Sequence, residues 1–221
     1  MQRVQGRKVG SSVSLVALGS FSRTAPYSIL GPMEAKAELR RAIKERLSRM
    51  SENDRRVESQ IILRELRKKL PSSPHTIGIY SPYLDEPNLT PLITELLEQK
   101  NVVCMPKSST HSMSMHRILS LQEIGRNPTT GIIEPIIDRQ VDETTIQTVV
   151  VPGRAFTKEG MRLGRGNGGY DRWIQEQRKR NPATRFIGVC FDCQIVQEMP
   201  VEGHDEKMDL LVTPRMKIDT L

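Results

Sequence analysis

The sequence predicts an α/β fold, in which a single three-layer αβα domain with a mainly parallel sheet follows a disordered N-terminal tail. Three observations lead to this prediction. From residue 76 onward, short apolar runs of strand length alternate with segments of helical periodicity, as in a parallel sheet covered by helices. The length of 221 residues suits one domain with a tail. Residues 1–33 differ from the rest because they contain four basic residues and no acidic one.

Two helices are predicted before the first strand. An apolar residue recurs every three or four positions over residues 39–50 of a charged segment, which predicts an amphipathic helix in a chain that becomes ordered near Met33. Ser51 and Asp54 have the spacing of a capping box and begin a second helix. Pro71 ends this second helix.

Strands and helices then alternate. Thr90 and Pro91 are predicted as the N-cap and the first residue of a helix over 90–100, and another helix is expected over 170–180. Because ligands of such sheets bind at the carboxyl ends of the strands, we expect Ser81 and Pro152 to begin binding loops. Strands are predicted at 76–80, 102–105, 113–119, 147–151, 185–191 and 210–213, with a loop-rich stretch between 119 and 147.

The segment RLGRGNGGYD, residues 162–171, is the most informative for function. Its four glycines let backbone N–H groups approach an anion, and the helix start predicted behind them adds unpaired N–H groups. The guanidinium groups of Arg162 and Arg165 can each bind two phosphate oxygens at once. Asp171 would repel bare phosphate but suits a divalent cation bound to it, so the segment predicts a site for Mg-ATP. We expect this site to be open to solvent, so that replacing Asp171 costs little stability.

Two better-known phosphate motifs compete with this interpretation. The P-loop pattern is absent. Gly164, Gly166 and Gly169 match the dinucleotide pattern GxGxxG, although that pattern should directly follow the first strand of its fold. Asp192 lies at a suitable sequence distance for a ribose contact. A nicotinamide-dependent oxidoreductase therefore stays open as an alternative.

Composition limits the class of partner. The net charge is +7, but four of these charges lie in residues 1–33, so the folded part is only mildly basic. Aromatic residues make up 4% of the chain, too few for extended base stacking. No run of 18 apolar residues is present. We therefore expect a polyanionic small molecule as partner, with no nucleic acid and no membrane.

The cysteines and the tail bear on the compartment. Cys190 and Cys193 form a lone CxxC, and together with Cys104 they make neither a zinc site nor a disulfide framework. We expect reduced structural thiols and a reducing compartment. Residues 1–33 have the composition of a mitochondrial transit peptide, which a disordered tail shares, so a cytoplasmic and a mitochondrial location both stay open.

Three segments and the first helix carry a family resemblance. VVVPGRAFTKEGMRLGRGNGGYDRWI (149–174) is similar to a PG-x-AF…G-x-RLG-x-G-x-GYYD run, and HDEKMDLLVTP (204–214) to a closing HD-x-x-MD segment. RFIGVCFDCQIV (185–196) lies between them in the same order. Over about residues 34–215 the chain resembles the 5-formyltetrahydrofolate cyclo-ligase family.

The resemblance implies that residues 34–221 form one ligase domain. Its reaction would convert 5-formyltetrahydrofolate and ATP into 5,10-methenyltetrahydrofolate, ADP and phosphate, with Mg²⁺ as cofactor. The formyl oxygen would attack the γ-phosphate, and N10 would then close the ring. The implied substrate is a folate, polyglutamylated or not, and a monomer is expected.

The resemblance also assigns residues to roles. Arg165 and Tyr170 would be catalytic, and Asp171 and Asp209 would hold Mg²⁺. Glu86 would accept N–H bonds from the pterin. The implied ATP-binding residues are Lys36, Ala37, Glu38, Leu39, Arg40, Arg162, Leu163, Gly164, Arg165, Gly166, Asn167, Gly168, Gly169 and Tyr170, and the implied substrate-binding residues are Ser81, Glu86, Arg165, Gly166, Asn167, Gly168 and Gly169.

Three positions depart from the family pattern. Gly169 stands where the first of two tyrosines is usual, Asn167 where glycine or lysine is usual, and Arg154 where an apolar residue is common. The missing tyrosine removes a ring and a hydroxyl from the folate side of the loop. A non-catalytic relative that binds folate or nucleotide is therefore a second alternative.

Overall fold

The computed structural model describes residues 31–71, 74–109, 112–129, 131–203 and 205–220. Helix α1 begins at Pro32, just before the predicted domain start at residue 34. Residues 1–30, the bulk of the predicted tail, lie outside the described residues, so the disorder or targeting role of this segment stays a prediction. In the part of the chain that the structure describes, no helix is long and apolar enough to cross a membrane.

The α-helices follow the predicted order: α1 Pro32–Ser48, α2 Glu52–Arg67, α3 Thr90–Glu98 and α4 Gly169–Arg180. The capping box of α2 is confirmed, since the Asp54 N–H donates to Ser51 Oγ at 3.1 Å and Asp54 Oδ2 accepts from the Ser51 N–H. The predicted N-cap of α3 was wrong by one residue. The N-cap is Leu89, and Thr90 already lies inside the helix, where its N–H donates to Asn88 Oδ1 at 3.0 Å.

The strands are β1 Thr76–Gly78, β2 Val102–Ser108, β3 Met113–Arg117, β4 Ile124–Arg126, β5 Ile133–Pro135, β6 Thr148–Pro152, β7 Ala155–Thr157, β8 Arg162–Leu163, β9 Arg185–Val189, β10 Ile195–Val196, β11 Leu210–Val212 and β12 Lys217–Asp219. Seven of them form the central sheet, in the order β12-β11-β9-β6-β1-β2-β3. The inner strands β11, β9, β6, β1 and β2 run parallel, whereas β12 and β3 are antiparallel edges, so the predicted mainly parallel sheet is confirmed.

Two small sheets were not predicted. Strands β4 and β5 pair in the stretch expected to be loop, and β10, β7 and β8 form a second sheet around the glycine-rich segment. Each of these strands has only two or three residues. Such short segments contain too few alternations of apolar and polar residues to be recognised in a sequence.

The core lies on both faces of the central sheet, which gives the three layers. Ile43 of α1 and Ile62 of α2 pack with Ile187 of β9 on one face. Trp173 of α4 packs with Phe186, the neighbouring residue of the same strand, on the other face. Successive strand residues point to opposite faces, so a single strand supplies both cores.

The three cysteines are free, as expected. Burial raises the pKa of Cys104 to about 12 and the pKa of Cys193 to about 11, and it raises the pKa of Cys190 well above its usual value. Because the thiolate is the reactive form, these thiols are inert at neutral pH.

A carboxylate of α2 joins this helix to the edge of the sheet and generates a pH prediction. Glu65 is bonded to Lys217 of β12 at 3.0 Å, to Lys68 at 3.1 Å and to Arg64 at 3.2 Å. These bonds, that of Lys217 first, lower the pKa of Glu65 from 4.5 to about 2. The ionised carboxylate therefore stabilises the fold above pH 4.5, and this stabilisation is lost as the pH falls toward 2.

We expect Glu65→Gln to lower the Tm at pH 7 and to flatten the decline of Tm between pH 4.5 and 2. Thermal unfolding over this pH range measures both effects. Glu98→Gln, at the exposed end of α3, is the control and should leave the profile unchanged. Identical acid profiles for the wild type and Glu65→Gln would refute this role of the carboxylate.

Candidate active site

A cavity lies at the carboxyl edge of the central sheet, where ligand-binding loops were expected. Ser81 beyond β1, Pro152 at the end of β6 and the glycine-rich segment all line it. Its volume is about 110 Å³. Sites that bury drug-sized ligands have roughly 300–1,000 Å³, so this cavity alone is too small for a nucleotide and a folate.

The loop between β8 and α4 depends on glycine at two positions. Gly166 has φ 111° and Gly168 has φ 65°, in the left-handed region that residues with a Cβ rarely adopt. Gly168 precedes α4 and has no side chain with which to cap it. Asn167 performs this task, since its Oδ1 accepts from the Gly169 N–H at 3.2 Å. The departure at Asn167 therefore places an amide at the helix start.

The dinucleotide alternative loses its support here. The GxGxxG loop follows β8, a strand of a small sheet with antiparallel pairing, and not the first strand of the parallel sheet as that motif requires. The carboxylate of Asp192, the candidate ribose ligand, is bonded to the Thr213 hydroxyl at 2.7 Å and to Arg215 Nε at 3.1 Å.

Arg165 and Glu86, both implied for folate binding, are brought together. Arg165 Nη2 donates to Glu86 Oε1 at 2.6 Å and to Asp85 Oδ1 at 2.9 Å, and its guanidinium lies 4.2 Å from the ring centroid of Tyr83. Glu86 Oε2 accepts from the Tyr83 N–H at 3.0 Å. Both carboxylate oxygens of Glu86 thus have partners within the protein.

Tyr170 lines the cavity with a hydroxyl that has no hydrogen-bond partner among the described residues. Burial raises the pKa of Tyr170 far above its usual value, so the hydroxyl stays protonated and can donate. A buried polar atom without a partner is costly in a folded protein. The hydroxyl is therefore available to a ligand in the cavity.

Arg162 and Asp171 form a buried ion pair below the loop. Arg162 Nη2 donates to Asp171 Oδ1 at 2.7 Å, and Arg162 Nη1 donates to the Pro152 carbonyl at 3.1 Å. The exposed fractions are 4% for Arg162 and 6% for Asp171. The expectation that Asp171 is open to solvent was therefore wrong, because it overlooked that Arg162 turns inward and not toward a phosphate.

The structure does not bring Asp171 and Asp209 together. Asp209 Oδ2 accepts from the Phe186 N–H at 2.7 Å, and its Oδ1 accepts from Arg178 Nη2 at 2.9 Å. Phe186 lies near the amino end of β9 and is paired with Val149 of β6. Pro152, whose carbonyl accepts from Arg162, lies three residues further along β6, at its carboxyl end. At the rise of a β-strand, this offset of three residues separates the backbone at Phe186 from that at Pro152 by roughly 10 Å. A shared Mg²⁺ role for the two aspartates stays a prediction, and the described residues contain no cluster of three or more metal-binding side chains.

Helix α1 closes the other side of the loop. Arg40 Nε donates to the Gly164 carbonyl at 2.9 Å. The Lys36 ammonium group is buried and bonded at 2.6 Å to Glu202 and at 2.6 Å to Asp205. Arg40 thus contacts the glycine-rich loop and Lys36 contacts two acids, and their implied role in ATP binding stays a prediction. Sequence reasoning missed the two acids, although Asp205 belongs to the closing HD-x-x-MD segment.

Several other implied residues have side chains directed elsewhere. Leu39 and Leu163 lie in the core, Ala37 is exposed, and Glu38 pairs with Arg41 at 3.4 Å. The sequence also missed part of the cavity wall, which comes from strands β2, β3 and β5 and carries no recognisable motif: Pro106, Ser108, Met113 and Ile133.

Comparison with known proteins gives one consistent result. A model of the 5-formyltetrahydrofolate cyclo-ligase family matches residues 32–214. A probable 5-formyltetrahydrofolate cyclo-ligase of Schizosaccharomyces pombe is 35% identical over 135 residues, which cover 55% of this chain and 65% of that protein. The 5-formyltetrahydrofolate cyclo-ligase of Mus musculus is 28% identical over 187 residues, 79% of this chain and 91% of that protein. The NMR structure of Aquifex aeolicus 5,10-methenyltetrahydrofolate synthetase superimposes with a TM-score of 0.70 at 32% identity, covering 84% of this chain and 92% of that one.

The buried ion pair generates a stability prediction. We expect Asp171→Asn to lower the free energy of unfolding by about 3–5 kcal/mol, because it leaves the Arg162 charge buried without a counter-charge. Urea unfolding followed by the fluorescence of Trp173 measures this loss. Glu176→Gln removes an exposed acid of the same helix, paired with Lys179 at 2.8 Å, and should cost less than about 1 kcal/mol. Equal losses for the two variants would show that the pair is not a structural element.

Proposed function

Because the chain belongs to the 5-formyltetrahydrofolate cyclo-ligase family, we propose that it cyclises 5-formyltetrahydrofolate to 5,10-methenyltetrahydrofolate at the expense of ATP. One observation carries the proposal for this site. The glycine-rich loop has Arg40 of α1 on one side and the Arg165–Glu86 pair on the other. A single loop is thus in contact with the region implied for the nucleotide and with the region implied for the folate.

In the proposed reaction the formyl oxygen attacks the γ-phosphorus of ATP and ADP leaves. N10 of the folate then attacks the activated formyl carbon, N10 loses its proton, and phosphate departs as the ring closes. A formyl oxygen on an amide-like nitrogen is a poor leaving group until it is phosphorylated. The protein must mainly align the two reactants and balance the charge that develops on the phosphate.

For the nucleotide, we assign Lys36 and Arg40 to the phosphates. The Lys36 ammonium group would exchange Glu202 and Asp205 for phosphate oxygens. In our proposal Mg²⁺ enters with ATP as part of the co-substrate, and the acids released by Lys36 are the carboxylates available to it. Asp209 receives no metal role, because both of its oxygens are bonded at the opposite edge of the sheet.

For the folate, we assign Glu86 to the N–H groups of the pterin edge. A pterin bound there would free Arg165 from Glu86, and its guanidinium, still beside Asp85, would then be able to meet the transferred phosphoryl group. The Tyr170 hydroxyl would donate a hydrogen bond to the ligand from the cavity wall. Ser81 would contact the same ligand, since it lines the same cavity.

A non-catalytic relative is the second candidate, and Gly169 is the observation that favours it. The atoms nearest to a Cβ at this position would be those of Asn167, at 3.7 Å or more, which is ordinary van der Waals contact. A folate would lose one ring contact there. The monomeric state and the cellular location of the protein stay predictions.

An absorbance assay tests the proposed function. Purified protein with Mg-ATP and 5-formyltetrahydrofolate should form the methenyl chromophore and release one ADP and one phosphate per product. Omitting ATP should abolish the signal. No chromophore at any protein concentration would refute the proposal, and folate binding without ATP consumption would favour the non-catalytic relative.

We expect Glu86→Gln to raise the KM for 5-formyltetrahydrofolate about 100-fold, because a charge-assisted pair of bonds to the pterin is lost. The KM for ATP should change less than about twofold, since Glu86 lies on the folate side of the loop. Steady-state kinetics with each substrate varied in turn measure both constants, with Glu98→Gln as the control. A parallel rise in both KM values would point to a general disturbance of the site and contradict this assignment.

A further inference from the structure

Four charged side chains form a chain of ion pairs that begins outside the cavity and ends in its wall. Arg154 donates to Asp85 Oδ2, and Arg165 Nη2 donates to Asp85 Oδ1 at 2.9 Å. Arg165 Nη2 also donates to Glu86 Oε1 at 2.6 Å. Of these four residues, Arg165 and Glu86 line the cavity, and Arg154 and Asp85 lie outside its lining. Arg154 is thus separated from a ligand in the cavity by two side chains.

The backbone of Arg154 is held in place by two other segments of the chain. Its N–H donates to the Leu163 carbonyl at 2.7 Å, and its carbonyl accepts from Gln194 Nε2 at 3.1 Å. The same amide group of Gln194, which is buried, donates to the Gly153 carbonyl at 2.8 Å. The side chain of Arg154 therefore extends from a fixed point in the turn between β6 and β7, and its guanidinium can fix the carboxylate of Asp85 in turn.

The carboxylate of Asp85 is shared between two guanidinium groups, each of which takes one oxygen. The side chains of Arg154 and Asp85 are 17% and 31% exposed, so water screens their interaction only in part. A guanidinium group can bind both oxygens of a carboxylate at once, but the contact with Arg154 leaves Arg165 a single oxygen. Asp85 therefore holds Arg165 less strongly than it would without Arg154.

Asp85 is charged at neutral pH. Burial raises the pKa of Asp85, but the hydrogen bond from Arg154 and the charge of Arg165 outweigh this effect, and the pKa lies below its usual value. The ionised carboxylate thus competes for Arg165 even when a ligand occupies Glu86.

Under the proposed function, Arg165 has to leave its partners when the folate arrives. A pterin on Glu86 removes one partner and leaves Asp85. We propose that Arg154 is a positioning residue for this step, which retains Asp85 outside the cavity so that Arg165 can turn to the transferred phosphoryl group. The inference rests on the proposed function for the role of Arg165. Because Arg154 is one of the departures from the family pattern, the contact belongs to this chain and not to that pattern.

A double-mutant cycle on Arg154 and Asp85 tests the inference. The variants are Arg154→Leu, Asp85→Asn, the double variant, and Arg154→Lys, which keeps the charge. The absorbance assay gives kcat and both KM values for each. The control is Arg139→Leu, which removes another partly buried arginine, paired with Glu123 at 2.5 Å outside the cavity lining.

We expect Arg154→Leu to lower kcat about tenfold, because Asp85 then binds Arg165 with both oxygens. The KM for 5-formyltetrahydrofolate should change less than about twofold, since Glu86 is unchanged. In the Asp85→Asn background the same substitution should leave kcat unaltered, because no carboxylate is left there to retain Arg165. Arg154→Lys should restore most of the lost kcat, and the control should have the wild-type kcat.

Two results would contradict the inference while the function stands. A wild-type kcat for Arg154→Leu would show that Asp85 does not restrain Arg165. An equal loss of kcat with and without the Asp85 carboxylate would show that Arg154 supports the site by another route, such as the structure of its turn.

Urea unfolding tests the same contact without turnover. The coupling between Asp85 and Arg165 is obtained from Asp85→Asn, Arg165→Gln and their double variant, first with Arg154 present and then with Arg154→Leu. We expect the coupling to increase when Arg154 is absent, by about fivefold in the unfolding equilibrium constant. A wild type that forms no chromophore but shows this increase would refute the function and leave the restraint on Asp85 standing, whereas an unchanged or smaller coupling would refute the restraint itself.

Discussion

The buried ion pair between Arg162 and Asp171 joins the two ends of the glycine-rich loop, since Arg162 precedes the loop and Asp171 follows it. The bond from Arg162 to the Pro152 carbonyl attaches this closed loop to the end of a central strand. A loop rich in glycine loses much conformational entropy when it is ordered, and the pair limits the arrangements that its ends can adopt. The positions of Tyr170 in the cavity wall and of Arg165 beside Glu86 both depend on this attachment.

Segments far apart in the sequence complete the site. Helix α1 reaches the loop through Arg40 and the closing segment through Lys36, while residues 81–86 reach it through Arg165. Each contact places a charged group against another part of the chain. In the structure these groups pair with one another, so under the proposed function ligand binding would exchange internal ion pairs for bonds to phosphate and pterin. Exchanging partners costs less free energy than leaving a buried charge without a partner, because each group stays paired.

The sequence was sufficient for elements with many residues in one pattern. The helical periodicity of α1 and α2 and the apolar strands of the sheet are repeated signals, and they predicted the layers correctly. The short strands β4, β5, β7, β8 and β10 were missed because their residues are too few to form a pattern. In the site, the motif located the loop but not the direction of its side chains. Arg162 turns inward to Asp171, and Asp209 is bonded to Phe186 and Arg178. Such partners are contributed by other segments and leave no mark in the local sequence.

The contact of Arg165 with Glu86 and Asp85 has a consequence for the rate at which ATP is hydrolysed without a second substrate. A ligase that binds ATP before its second substrate risks transferring phosphate to water. Under the proposed function, the guanidinium that would assist the transfer is held by two carboxylates until a pterin displaces it. Phosphoryl transfer would then be fast only when the folate is bound, and hydrolysis of ATP in its absence would stay slow.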